Sequence, residues 1–106
     1  MEKKIKRKTC SFSLDPKLYQ QIKVIGATID VPANILIESA ISKVLEKYKN
    51  NDLKVPERKG IERDNISNTL NEELYFELKV LTSIKRTKLN YLLEDALIDE
   101  ISHYKK

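Results

Sequence analysis

The sequence predicts a mainly α-helical fold with short strands, in which a strand-helix-helix unit is written twice and the two units share one core. Three observations carry this. The stretch 14–49 recurs as the stretch 70–105. Each copy holds two stretches of helically spaced apolar residues behind helix-start signals, and each opens with a short apolar-polar alternation.

The repeat runs without a gap from residues 14–49 to residues 70–105. Eleven of the 36 aligned positions are identical: Leu14/Leu70, Leu18/Leu74, Tyr19/Tyr75, Lys23/Lys79, Val24/Val80, Asn34/Asn90, Leu36/Leu92, Glu38/Glu94, Ala40/Ala96, Tyr48/Tyr104 and Lys49/Lys105. Chance gives roughly two, so one supersecondary unit is present in duplicate. At 106 residues the chain is too short for two independent domains with substantial cores, and the copies must share one.

Ahead of the helices, Cys10, Phe12 and Leu14 alternate with Thr9, Ser11 and Ser13, and Ile66, Asn68 and Leu70 alternate with Asn65, Ser67 and Thr69. Period-two alternation predicts a short strand in each copy, its apolar side turned inward. Asn68 stands where the first copy has Phe12 and is expected to mark a bulge, a shifted register or an asymmetric pairing.

Asp15-Pro16 and Asn71-Glu72-Glu73 each place an N-cap oxygen before a proline or an acidic first turn. Apolar residues follow at 18, 22, 25 and 29, and at 74, 78, 81 and 84, predicting one buried face per helix. After breaks around 26–31 and 82–87, a second helix starts with Pro32 in its first turn, or with Thr87 as N-cap. Its apolar arc is wide: Ile37, Ala40, Ile41, Val44, Leu45 and Tyr48, matched by Leu93, Ala96, Leu97, Ile101 and Tyr104. An arc that broad must pack on more than its own neighbour helix. The expected organisation is a basic arm over 1–8, a first unit over 9–49, a linker over 50–63 long enough not to restrict how the copies meet, and a second unit over 64–106.

The formal charge is +4, and its distribution is uneven. Residues 1–50 carry ten basic and five acidic side chains, while residues 51–106 carry ten and eleven. The excess lies in Lys3, Lys4, Lys6, Arg7 and Lys8, an arm suited to phosphates. The single cysteine, Cys10, rules out an intramolecular disulfide framework and reads as a small core residue of a protein in a reducing compartment. No apolar run reaches the roughly 18 residues of a membrane span, and no signal-peptide pattern is present, so a cytoplasmic protein without a membrane partner is expected.

The order strand, capped Leu-Asp-Pro-Lys-Leu (14 to 18), turn, and Leu-Ile-Glu-Ser-Ala (36 to 40) resembles the ribbon-helix-helix family of DNA-binding proteins. The second copy repeats it with Leu-Asn-Glu-Glu-Leu (70 to 74) and Leu-Leu-Glu-Asp-Ala (92 to 96). The resemblance implies a short two-stranded antiparallel β-ribbon, formed by two interlocked units, lying in the major groove of double-stranded DNA. A strand and two helices cannot cover their own apolar faces, so pairing is also what the physics requires. One chain supplies both units, and a homodimer or higher association on DNA remains open.

On this reading Thr9, Ser11, Ser13, Asn65, Ser67 and Thr69 face the bases, Asn65 being the sharpest because an amide can bond adenine through two atoms. Phosphates are expected at the basic arm and at the second helix of each unit, involving Ala33 in one and Lys85, Arg86, Thr87 and Lys88 in the other. The expected role is a transcriptional repressor or regulator. The alternatives are an accessory protein marking a plasmid or phage origin for transfer, replication or partition, and an antitoxin-like interaction module, which would be expected to carry an extra tail; the chain could be carried by a phage, plasmid or virus.

Catalytic chemistry is not expected. His103 has no second His or Cys at metal spacing, no glycine-rich phosphate loop exists, and neither metal nor cofactor is called for. Glu72, Glu73, Glu77, Asp99 and Glu100 are expected on exposed helical faces as solvating charges.

Overall fold

The computed structural model describes residues 6–105. Its elements in chain order are β1 (Arg7–Leu14), α1 (Pro16–Ile29), α2 (Ala33–Tyr48), β2 (Asp64–Asn71), α3 (Glu72–Lys85) and α4 (Leu89–Tyr104). The strand-helix-helix order therefore occurs twice, in a mainly helical fold with one two-stranded antiparallel sheet.

Each first helix starts where its cap dictates. The Asp15 carboxylate accepts from Lys17 N and precedes Pro16, while the Asn71 side-chain oxygen accepts from Glu73 N and Leu74 N. Both end in a left-handed residue, Asp30 (φ 60°) and Arg86 (φ 52°). Gly26 is required at the first of these turns, since a Cβ there would sit 2.5 Å from the Val31 carbonyl oxygen. Pro32 is the N-cap of α2. The N-cap of α4 is Lys88, a correction to the expectation of Thr87: the first helical bond runs from Leu92 N to Lys88 O at 3.2 Å, and Thr87 lies one residue ahead, where its N–H closes α3 on Thr82 O at 3.0 Å.

Alternation in β1 is complete, with Cys10, Phe12 and Leu14 buried and Thr9, Ser11 and Ser13 exposed. Below the ribbon lies a core of Ile22, Ile37, Ile41, Leu70, Leu78, Leu92, Leu93 and Leu97, all fully buried. The packing joins the two copies. Helix α1 lies more closely on α4 than on α2, α3 more closely on α2 than on α4, and α2 and α4 pack on each other. The radius of gyration, 13.5 Å, is that of one compact body of about 100 residues.

Several expectations are corrected. Ile29 and Ile84 are exposed: Ile29 is the last residue of α1, and Ile84 continues a row through Phe76 and Val80 on the side of α3 away from the core. Tyr104 is exposed while its counterpart Tyr48 is buried. Tyr48 donates to the Asp95 carboxylate at 2.6 Å, and the residue equivalent to Asp95 in the first copy is the uncharged Ser39. Glu100, expected at the surface, is buried against Lys43 of α2, whose Nζ lies 2.9 Å away. The segment between the copies is also no free tether. Val55 enters the core, and Arg58 bonds Asp15 and Glu94.

Candidate nucleic-acid interface

The two strands pair in continuous register: Arg7 with Asn71, Thr9 with Thr69, Cys10 with Asn68, Ser11 with Ser67, Phe12 with Ile66, and Ser13 with Asn65. Ser11 and Ser67 are themselves equivalent positions of the two copies, so the approximate two-fold axis of the repeat passes between them. Asn68 causes neither bulge nor slip. It is half-buried and its Nδ2 donates to the Tyr19 hydroxyl at 3.3 Å, so the ribbon is asymmetric in chemistry and regular in backbone.

All six side chains predicted to read bases are exposed. Period-two alternation sets them in three cross-strand pairs on the face opposite the core. The central Ser11 and Ser67 hydroxyls bond each other at 2.8 Å. Thr9, Thr69, Ser13 and Asn65 flank them without a side-chain hydrogen bond among the described residues.

Both second helices begin without a side-chain cap, leaving first-turn N–H groups unclaimed by a neighbouring side chain. The start of α2 is fastened to the ribbon, because Asn34 Nδ2 donates to the Thr69 carbonyl at 3.0 Å. Among the predicted phosphate contacts, Lys6, Lys8, Arg86 and Lys88 are exposed, Thr87 and Ala33 half-exposed. Arg7 is bound to Glu38, and the Lys85 ammonium donates to the Asn51 and Leu53 carbonyls at 2.7 and 2.9 Å. Lys3 and Lys4 lie outside the described residues.

Holding the ribbon to the helices is a pair of carboxylates that sequence reasoning noted only as identities. Glu38 accepts from Arg7 and from Asn71 N, at the start of α3. Glu94 does the same from the other side, accepting from Asp15 N at 2.9 Å and from Arg63 through two bonds of 2.8 Å. Arg7 and Arg63 are equivalent positions too, so carrying the repeat upstream from Leu14 and Leu70 as far as these arginines would have exposed both pairs. Each second helix thereby fixes the strand-helix junction of the other copy.

Burial pushes the Cys10 thiol up, which keeps it protonated and unreactive. Among the described residues no three His, Cys, Asp or Glu side chains are grouped to hold a metal ion, and no single helix is long and apolar enough to cross a membrane.

A two-stranded antiparallel ribbon with a polar outer face, packed on four helices, is the arrangement that β-ribbon readers of nucleic acid share. Residues 6–49 match the family model of the ribbon-helix-helix domain, a family of DNA-binding regulators that generally act as dimers. No curated protein and no solved structure matches the chain.

Proposed function

We propose that the chain is a double-stranded DNA-binding regulator whose two copies form an interlocked pseudo-dimer, the second copy supplying the partner unit that a separate chain would supply in a simple dimer. The observation that carries this reading is the outward row of Thr9/Thr69, Ser11/Ser67 and Ser13/Asn65 on a ribbon that needs no second chain. Two strands about 5 Å apart, with side chains, fill a major groove about 12 Å wide.

The outer pairs carry most of the discrimination, because the central serines already commit one of their two donors to each other. Asn65 stands opposite Ser13 and is equivalent to Thr9, so the two half-sites are read unequally. Arg86, Thr87 and Lys88 beside α4, Ala33 at the start of α2, and the arm of Lys3, Lys4, Lys6 and Lys8 grip phosphates. Arg7 and Lys85 are already engaged within the fold and add only their charge to the field around the ribbon. In a cell this activity is that of a repressor or an origin-marking protein, acting in the cytoplasm.

Selection from random duplexes at physiological salt tests the reading. A short asymmetric motif should be recovered, and replacing Thr9, Ser13 and Asn65 together by Ala should erase it while leaving non-specific binding within about threefold. With about six phosphates neutralised, affinity should fall about a thousandfold between 50 and 200 mM salt. Enrichment of no motif, together with binding insensitive to salt, would remove every nucleic-acid reading.

A further inference from the structure

Helix α3 exposes an apolar row that the core does not use. Phe76, Val80 and Ile84 recur at four-residue intervals, and Phe76 and Ile84 are 65% and 69% exposed. The equivalent residues of α1 are Gln20, Val24 and Thr28, so the row belongs to the second copy alone. Ile84 lines two adjoining open grooves of about 730 and 570 Å³, which meet at Ile84 and Lys85 near the C-terminal end of α3. Three large apolar side chains exposed in a line, where the duplicate has one valine between two polar residues, mark a contact surface.

The charges at the ends of the row select the partner. Glu73 lies at its acidic N-terminal end, and Arg86 and Lys88 at its basic C-terminal end, all exposed and without an ion pair among the described residues. A helix with this polarity complements itself when laid antiparallel. A two-fold axis through Val80 sets Phe76 of each chain on Ile84 of the other, and Glu73 of each against the partner's basic end. Because the chain carries one such row, the contact closes on itself and yields a dimer with no free copy of the surface left over.

We propose that this face of α3 is the docking surface for a second copy of the chain. The row spans about 12 Å of helix and buries less than the roughly 800 Å² per partner of a standard interface, so the dimer is weak and reversible. The apolar row takes no part in the proposed DNA contact, but Arg86 and Lys88 at its basic end are shared with the phosphate grip, so the association is read on the chain free of DNA.

Sedimentation equilibrium of the full chain without DNA, from about 5 to about 500 µM, tests this. The mass should rise toward the dimer across that range. Phe76→Gln with Ile84→Thr, which installs residues the first copy already carries, should weaken association at least about tenfold without altering the melting transition. Glu73→Lys or Arg86→Glu alone should weaken it by about threefold or more, and the two together should restore it. A monomer throughout, association indifferent to the Phe76 and Ile84 changes, or failure of the double charge reversal to restore it would each overturn the proposal.

Discussion

At the residue scale the fold turns on two buried acids. Glu94 is fully buried, yet both of its oxygens are matched by Arg63, Arg58 and the Asp15 N–H, with the Arg63 guanidinium also 5.4 Å from the Tyr91 ring centre. Removing one side of a buried pair strands the other, so Glu94→Ala should cost about 3–5 kcal/mol in denaturant unfolding. Glu38→Ala should cost about 1–3 kcal/mol, because the Arg7 side chain is 35% exposed and water can replace the lost carboxylate. Equal losses from the two changes would contradict the account. The buried roles of these acids were legible in part: the Glu38/Glu94 identity was visible, but hydropathy reads a Glu as surface until its arginine is placed beside it. Glu100 was misread for the same reason, since its partner Lys43 lies far away in the chain, on a helix of the other copy.

At the scale of elements, capping and alternation carried most of the information. Asp15 and Asn71 cap where local chemistry says they should, and the β1 alternation of Cys10, Phe12 and Leu14 maps directly onto burial. Tertiary contacts decided the remainder. Tyr48 and Tyr104 are the same residue at equivalent positions, and among the described residues only the first meets a carboxylate across the α2–α4 contact. The two second helices have diverged into complementary halves, with Lys43 and Lys47 on α2 facing Asp95, Asp99 and Glu100 on α4. This favours the pairing of unlike copies over like ones. Burial, then the hydrogen bond to Asp95, pushes the Tyr48 phenol up to about 12. Burial works against the Lys47 ammonium beside it, but hydrogen bonds to Asp99 and Asp95 outweigh that and raise its pKa. A raised phenol contributes stability that is fully present below its unfolded pKa of about 10 and lost as the pH climbs toward about 12. Tyr48→Phe should therefore flatten the loss of stability between about pH 10 and about pH 12, measured by denaturant unfolding across that range. An unchanged pH slope would show that the phenol is not held neutral by this contact.

At the scale of the whole molecule, duplication lets one chain close a ribbon that a single unit could not form. The recurrence of 14–49 as 70–105 and the need for a shared core were readable from residue order, and so was the inward face of β1. How the copies meet was not, because a linker judged by length alone says nothing of Val55 entering the core or of Arg58 clamping Asp15 to Glu94. The outward serines and threonines were equally silent, since a soluble strand face and a groove-reading face have the same composition. Their pairing about the Ser11/Ser67 axis is what makes them a surface. The most direct measurement is amide chemical-shift mapping of the full chain titrated with its selected duplex. The largest changes are predicted across 7–14 and 64–71 and at the first turns of α2 and α4, while changes confined to α3, with the ribbon unmoved, would contradict the claim that the paired strands meet the DNA.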